Sequence, residues 1–203
     1  ICDAGGIPPL VTLASDGDDE QKVSAAAALW NLADDAKSRK SIRQAGGIPP
    51  LVVLAFSGNE KQKRHATIAL GNLALDKTCA KTICDAGGIP PLVTLVSSGT
   101  TDQKAQAAQA LENLADDETT ATAIRDSGGI PPLVTLASSG NDVQKRHAAL
   151  ALGNLAFDSI NRAAIRDAGG IVGGITPLVA LASSGIDEQT KVGAARALGY
   201  LAL

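Results

Sequence analysis

The chain has 203 residues, a net charge of −3 and a hydrophobic fraction of 45%, with only 2% of its residues aromatic. Apolar residues that are almost all Ala, Leu, Ile and Val favour closely packed helices. The weakly acidic charge excludes a general affinity for nucleic acid, which depends on dense Lys and Arg contacts to phosphate. No apolar run approaches the ~20 residues of a membrane-spanning helix, and no charged-then-apolar leader starts the chain. We therefore expect a cytoplasmic or nuclear protein with no nucleic-acid or membrane partner.

The sequence repeats itself at a fixed interval of 41 residues. The segment GGIPPLVTLASDG starts at Gly5, and close copies start at Gly46, Gly87 and Gly128. A fifth unit, whose matching glycine is Gly173, carries a four-residue duplication and one further inserted residue. Because units of this size cannot bury an apolar face alone, the repetition predicts units that stack into a continuous core.

Each unit starts with a short predicted helix and continues with a second one. Acidic residues 41 positions apart are suitable N-caps for the short helix, since a carboxylate accepts from the free amides of a first turn: Asp35, Asp76, Asp117 and Asp158. A glycine pair such as Gly46-Gly47 is expected to end it. The motif IPPL then begins the second helix, because proline is tolerated where the first-turn amide has no partner. A Ser-Gly pair closes that helix.

A third and longest helix is predicted from a repeated capping box, in which cap and glutamine side chains bond each other's backbone amides. The pairs are Asp18 with Gln21, Asn59 with Gln62, Thr100 with Gln103, and Asn141 with Gln144. In the fifth unit Asp187 is followed three residues later by Thr190 instead of glutamine. We therefore expect the last long helix to start less firmly.

A unit of this length with three helices, in which DAGGIPPLV precedes QK..AA.AL.NLA, resembles the armadillo repeat. The resemblance covers essentially the whole chain. It implies an all-α fold, a right-handed α-solenoid of about five three-helix armadillo repeats. We assign the repeats to residues 1–33 (with a truncated first helix), 34–74, 75–115, 116–156 and 157–203 (with the insertion), and expect them to form one continuous domain.

The resemblance also implies a concave groove lined by the third helices, on which one asparagine per helix holds the backbone of an extended peptide. The matching residues are Asn31, Asn72, Asn113 and Asn154, whereas the fifth repeat has Tyr200. The residues support this independently: at ~100° per residue, Asn72 points away from the apolar positions of its helix. An amide offers the donor and acceptors that a peptide backbone needs. The alternative is that each asparagine bonds the backbone of its own solenoid.

Specificity for a peptide is expected from residues at positions −11, −7, −4 and +3 from each asparagine, which share its side of the helix. The candidates are Ser24, His65, Ile68, Gln106, Gln109, His147, Leu150 and Phe157. The runs KRH at residues 63–65 and 145–147 predict two basic spots and a mixed polar and apolar peptide with an acidic residue near each histidine. These runs are alternatively solvated helix faces. Asp34 and Asp116 similarly fit either the groove or a helix terminus.

Importin-α-like members of the family place a tryptophan four residues before the asparagine. The residues at that position here are Ala27, Ile68, Gln109, Leu150 and Arg196. Trp30 is one residue before its asparagine and does not fit the pattern. Basic nuclear-localisation peptides are therefore not expected as ligands.

No combination of residues predicts chemistry. The two histidines are 82 residues apart, and the odd set of Cys2, Cys79 and Cys84 has neither a nearby histidine nor metal-ligand spacing,, so we expect reduced thiols. We predict a non-catalytic interaction scaffold without cofactor or metal, whose partner is an extended or disordered segment of another protein. The alternative is a fragment or an engineered armadillo array that self-associates through its open ends and has no peptide ligand.

Overall fold

The computed structural model describes residues 5–168, 174–184 and 186–203. Cys2 and the expected repeat glycine Gly173 lie outside the described residues. Within the described ranges the chain forms fourteen helices and no strand. They are α1 (Ile7–Asp16), α2 (Asp19–Leu32), α3 (Ala36–Gln44), α4 (Ile48–Ser57), α5 (Glu60–Leu73), α6 (Lys77–Asp85), α7 (Ile89–Ser98), α8 (Thr101–Leu114), α9 (Glu118–Asp126), α10 (Ile130–Ser139), α11 (Asp142–Leu155), α12 (Ser159–Asp167), α13 (Ile175–Ser184) and α14 (Glu188–Leu201).

The glycine pair that follows α3 has two separate functions. Gly46 has a φ of +73°, in the left-handed region that glycine adopts without steric cost. Gly47 has an ordinary φ, but a Cβ there would lie 2.8 Å from Cγ2 of Ile42. The first glycine is therefore required by conformation and the second by space. Together they turn the chain from α3 into α4.

The predicted caps are present. Asp76 accepts from the Cys79 amide at 2.9 Å, and the four capping boxes of α2, α5, α8 and α11 have both of their bonds. In α14 the cap Asp187 accepts from the Thr190 amide at 2.8 Å and from its hydroxyl at 2.9 Å. The threonine thus supplies a second bond to the cap in place of the glutamine's reciprocal bond.

The helices form two compact units, Ile1–Leu92 and Val93–Leu203, divided within α7. In unit 1 the long helices α2 and α5 pack against each other, and α1 and α4 pack against them. The short helices α3 and α6 contact each other and the second helices. Leu29, Leu51 and Leu70 are completely buried in this core.

In unit 2 the long helices α8, α11 and α14 pack in sequence, with α10 against α11 and α13 against α14. The contact between α11 and α14 is very close, because a Cβ on Gly153 would lie 2.8 Å from the carbonyl oxygen of Gly193. Leu111 and Leu152 are completely buried. Glycine at both positions therefore allows the backbones of these two helices to touch.

The glutamines of the capping boxes also connect successive repeats. Gln62 Nε2 donates to the carbonyl oxygen of Asp19 at 3.1 Å, and Gln144 Nε2 donates to that of Thr101 at 2.8 Å. Both glutamines are nearly buried, with 3% and 5% of their surface exposed. Each one therefore caps its own helix and aligns that helix with the first turn of the preceding long helix. None of the described helices is long and apolar enough to cross a membrane.

Candidate functional site

The four predicted asparagines lie near the ends of long helices, two in each unit. Unit 1 has Asn31 on α2 and Asn72 on α5, and unit 2 has Asn113 on α8 and Asn154 on α11. Because α2 packs on α5 and α8 packs on α11, each unit places its two asparagines on neighbouring helices.

The predicted specificity residues accompany these asparagines and are all at least partly exposed. We call the unit 1 set the unit 1 stripe: Ser24, Asn31, His65, Ile68 and Asn72. The unit 2 set is the unit 2 stripe: Gln106, Gln109, Asn113, His147, Leu150, Asn154 and Phe157.

In the unit 1 stripe, Asn72 is polarised by an acid. Its Nδ2 donates to Oδ1 of Asp34 at 3.1 Å. Its amide oxygen accepts no hydrogen bond from the described residues and is therefore available to a donor. Asn31 is exposed. Asp34, which fitted either a groove or a helix-terminal function, thus contacts the asparagine of the next repeat.

In the unit 2 stripe, Asn154 is bonded on both sides of its amide. Nδ2 donates to the carbonyl oxygen of Glu112 at 3.1 Å, and Oδ1 accepts from a guanidinium nitrogen of Arg196 at 2.7 Å. Asn113 is half-buried on α8. The asparagine of α11 is therefore held by the solenoid itself, although it remains partly exposed.

His65 stacks on an aromatic ring. Its centroid is 5.6 Å from that of Trp30, with an interplanar angle of 27°. Its Nδ1 lies 3.4 Å from the carbonyl oxygen of Val23. Since a carbonyl only accepts, Nδ1 carries the hydrogen in this contact.

His147 occupies the same repeat position but contacts a carboxylate. Its Nδ1 is 2.7 Å from Oε2 of Glu112, and the two side chains are only 16% and 21% exposed. A carboxylate only accepts, so Nδ1 again carries the hydrogen. Glu112 therefore binds His147 through its side chain and Asn154 through its backbone.

The predicted basic spot of unit 2 is largely compensated by acids within the unit. Arg146 pairs with Asp187 at 3.5 Å, and His147 already faces Glu112. In unit 1, Arg64 is exposed. The acidic ligand residue expected near His147 would therefore compete with Glu112.

The remaining stripe residues divide into apolar and polar contact points. Phe157 is 73% exposed, and its ring meets Tyr200 edge-on at 5.6 Å. Leu150 and Ile68 are half-buried. Among the polar members, Ser24 and Gln109 are exposed, and Oε1 of Gln106 is buried without a hydrogen-bond partner in the described residues.

The sequence pattern did not place Trp30, Glu112 or Arg196 among the site residues. Trp30 and Glu112 precede their asparagines by one residue, and each meets the histidine at position −7 of the next repeat. These contacts could have been found by comparing two positions counted from the asparagines: the residue at −1 in one repeat and the residue at −7 in the next repeat. The next pair of repeats has glycine at both positions, Gly153 at −1 and Gly193 at −7, and there the two helix backbones touch.

The titratable groups whose pKa is clearly shifted are N-cap aspartates and one cysteine of the core. Amide hydrogen bonds at helix N-termini lower the pKa of Asp35, Asp76 and Asp187. Burial raises the pKa of the Cys79 thiol to about 12. Among the described residues, no three His, Cys, Asp or Glu side chains lie close enough to hold a metal ion.

A family model for the armadillo/beta-catenin-like repeat matches residues 1–34, 35–75, 76–116 and 120–157. No curated protein sequence matches the chain.

Solved structures of engineered proteins resemble the chain over nearly its full length. The crystal structure of one engineered protein is 36% identical with a TM-score of 0.92 over 99% of this chain, which spans only 49% of that protein. A designed armadillo repeat protein in complex with the peptide (KR)4 is 25% identical, with a TM-score of 0.87 over 98% of this chain and 83% of the design. A second, computationally designed for modular peptide recognition, is 26% identical with the same TM-score of 0.87, over 98% of this chain and 83% of the design. The all-α armadillo fold predicted from the sequence is confirmed, and the chain belongs to the armadillo/beta-catenin-like repeat family.

Proposed function

We propose that the chain is a non-catalytic scaffold that binds extended segments of other proteins along its stripes. Asn31 and Asn72 in unit 1, and Asn113 and Asn154 in unit 2, hold the peptide backbone. One observation carries the proposal: these asparagines are at the surface, whereas leucines beside them in the same helices, such as Leu70 and Leu73, are completely buried. The oxygen of Asn72 is open to a ligand donor, whereas a ligand at Asn154 would exchange with the bonds to Glu112 and Arg196.

The energetics fit a modest affinity. A hydrogen bond contributes on the order of 0.5–1.5 kcal/mol net, so the two asparagines of one unit making one or two bonds each supply a few kcal/mol before ordering costs. A dissociation constant in roughly the micromolar range follows for a natural peptide. Armadillo designs described as made for modular peptide recognition support a peptide as the class of ligand.

The ligand we propose is mixed in polarity. The peptide (KR)4 is bound by a designed relative, but here the position four residues before each asparagine has Ala27, Ile68, Gln109 and Leu150 instead of tryptophan. Apolar side chains of the peptide would contact Ile68, Leu150 and Phe157, and its backbone would meet the asparagines.

The test is selection from a displayed library of random extended peptides, followed by affinity measurement with variants. The double variants Asn31→Ala/Asn72→Ala and Asn113→Ala/Asn154→Ala should each weaken peptides selected on that unit by at least about tenfold, since up to four hydrogen bonds are lost. The control is Gln44→Ala, which removes an exposed amide from α3. Unchanged affinity in both double variants would show that the asparagines are not the binding element.

A second candidate function, head-to-tail self-association, is favoured by a different observation. Gln62 and Gln144 are buried because each donates to the first turn of the preceding long helix, whereas the matching Gln21 is exposed. On α14 the matching first turn begins at Glu188, and Ala195 and Gly199 of that helix are also exposed. Gln21 of one molecule could therefore bond α14 of another as the internal repeats do.

Sedimentation velocity over a range of concentrations tests this second candidate. Association should raise the mean mass with concentration, and Gly199→Leu should abolish the increase by blocking close approach. A Cβ at position 199 would meet nothing within 4 Å, so the start of the new side chain fits its own molecule. A constant monomer mass at the highest soluble concentration would eliminate the candidate.

A further inference from the structure

Four side chains of unit 2 meet where α11 ends beside α14. Arg196 donates to Asn154 at 2.7 Å, and the rings of Phe157 and Tyr200 meet edge-on at 5.6 Å. Asn154 and Phe157 are three residues apart on one side of this junction, and Arg196 and Tyr200 are four apart on the other. We call this group the α11–α14 cluster.

The cluster contains a cation without a counter-ion. Arg196 is exposed, and its one hydrogen bond is to a neutral amide. Three other basic groups of the unit have carboxylate partners: Arg125 with Asp126, Arg146 with Asp187 and His147 with Glu112. Arg162 and Arg166 instead donate to backbone carbonyls of the unit. No carboxylate of the described residues lies within ion-pair distance of Arg196.

The same cluster also exposes a large apolar surface. Phe157 is 73% exposed, and its backbone carbonyl accepts from Arg162 at 3.1 Å. Tyr200 supports one edge of the ring. An aromatic or large aliphatic side chain placed against this pair would bury apolar area and gain edge or stacking contacts.

We infer that the α11–α14 cluster binds a carboxylate together with a neighbouring aromatic or large apolar side chain of a ligand. This inference deepens the proposed peptide-binding function and rests on it. One guanidinium presents donors in a fork that matches one carboxylate, and a phosphate ester would normally be met by several cations. Asn154 orients the guanidinium through one nitrogen and leaves its other donors available. The carboxylate comes from an Asp or Glu side chain or from the end of a chain.

Small probes test the inference on the full chain without a selected peptide. The carboxylate probes are acetyl-Asp-Phe-amide, with a side-chain carboxylate, and acetyl-Phe with a free terminal carboxylate. The matched neutral probes are acetyl-Asn-Phe-amide and acetyl-Phe-amide, and acetyl-Lys-Phe-amide has the opposite charge. Binding is followed by NMR titration at low salt, including the side-chain Nε–H signals of the arginines.

We expect at least one carboxylate probe to bind about three- to fivefold more tightly than its neutral match, since an exposed charge-assisted contact is worth up to about 1 kcal/mol. The probe that shows the preference identifies the carboxylate source. Arg196→Gln should abolish the preference and leave the neutral probes unchanged. Phe157→Ala should weaken every probe containing Phe. The matched control, Asp34→Asn in unit 1, should change neither result.

Equal binding of charged and neutral probes, or a preference that survives Arg196→Gln, would overturn the inference. These outcomes are separable from failure of the proposed function. Library peptides that need the asparagines but ignore Arg196 would contradict the cluster alone. Probe binding at Arg196 without any asparagine-dependent peptide would contradict the proposed function alone.

Discussion

The two units present almost the same helix sequence and yet different surfaces. The segments QKRHATIALGNLA of α5 and QKRHAALALGNLA of α11 differ at two positions only. His65 nevertheless stacks on Trp30, whereas His147 bonds Glu112. The preceding repeat decides what each histidine does, because it supplies the residue at position −1.

Asn72 and Asn154 differ in the same way. Asn72 donates to the carboxylate of Asp34 from the preceding repeat, which leaves its amide oxygen open. Asn154 accepts from Arg196 of the following repeat, so its oxygen is occupied. For the proposed peptide ligand, we therefore expect donors at the unit 1 stripe and a carboxylate at the unit 2 stripe. In a repeat protein, the chemistry of a surface position depends on pairs of neighbouring repeats.

The largest expected effect concerns a probe found in one unit only. Both cysteines among the described residues, Cys79 and Cys84, belong to unit 1. Burial raises the Cys79 pKa from the ordinary 9.0 to about 12, so its thiolate fraction at pH 8 falls by about a thousandfold, and the thiolate is the reactive form. Alkylation of Cys79 by iodoacetamide in a Cys2→Ser/Cys84→Ser background should be at least about a hundredfold slower in the folded protein than in urea.

Mass spectrometry of the alkylated peptide measures this rate. Labelling would then report the opening of unit 1 separately from unit 2. Rapid alkylation of the native protein would show that the thiol, which donates to the Arg39 carbonyl at 3.7 Å, is not protected by the core.

The parts of the fold that were predictable depend on one residue and its immediate neighbours. Glycine pairs, IPPL motifs and capping boxes act within a few residues of each helix end, so the helix limits could be read from the sequence. The choice of stripe members was based on the 100° rotation per residue, and their binding of a peptide stays a prediction. Contacts of Trp30, Glu112 and Arg196 could not, because they depend on which residues two neighbouring helices place opposite each other.

The second prediction tests why unit 2 has glycines at the −1 and −7 pair. A Cβ on Gly153 would lie 2.8 Å from the Gly193 carbonyl, so Gly153→Ala should destabilise the protein by about 1–3 kcal/mol through overpacking. The control is Gly199→Ala, at the same repeat position, where a Cβ meets nothing within 4 Å. It should stabilise by up to about 1 kcal/mol through helix propensity.

Urea unfolding followed by circular dichroism measures both changes, and hydrogen exchange of α11 and α14 amides assigns them to unit 2. Equal effects of the two substitutions would mean that helix propensity alone governs this position and that the close backbone contact does not constrain it.

The third prediction concerns the N-cap of the short helices, which is an aspartate at the same repeat position in both units. Asp76 in unit 1 accepts from Cys79, and Asp158 in unit 2 accepts from Asn161. Either substitution by alanine should cost about 1 kcal/mol at pH 7. Because the amide hydrogen bonds lower the Asp76 pKa below 3.8, its stabilisation is present above that pH and is lost as the pH falls through the folded value.

Urea unfolding of wild type and Asp76→Ala at pH 7 and near pH 2 measures this loss as a shrinking difference between the two proteins. Asp76→Asn keeps an acceptor without a carboxylate, so its own capping contribution should not change with pH. A wild-type advantage over Asp76→Ala that persists in full at low pH would contradict the charged-cap explanation.

The smallest expected effects are the couplings that separate the two histidines. Double-mutant cycles isolate a pairwise energy when each single change removes only that contact. Trp30→Leu with His65→Gln should give a coupling of about 0.5–1.5 kcal/mol, which is typical of stacked rings. Measured near pH 5, where an imidazole carries its charge, Glu112→Gln with His147→Gln should give about 0.2–1 kcal/mol, as for a partly exposed charge pair. Salt distinguishes the two, because the Debye length shrinks from about 30 Å at 0.01 M to about 3 Å at 1 M. The Glu112–His147 coupling should fall over this range and the Trp30–His65 coupling should stay constant, with urea unfolding as the measurement. Two couplings with the same salt dependence would mean that the histidines behave alike, and that the residue at position −1 does not set the chemistry of each stripe.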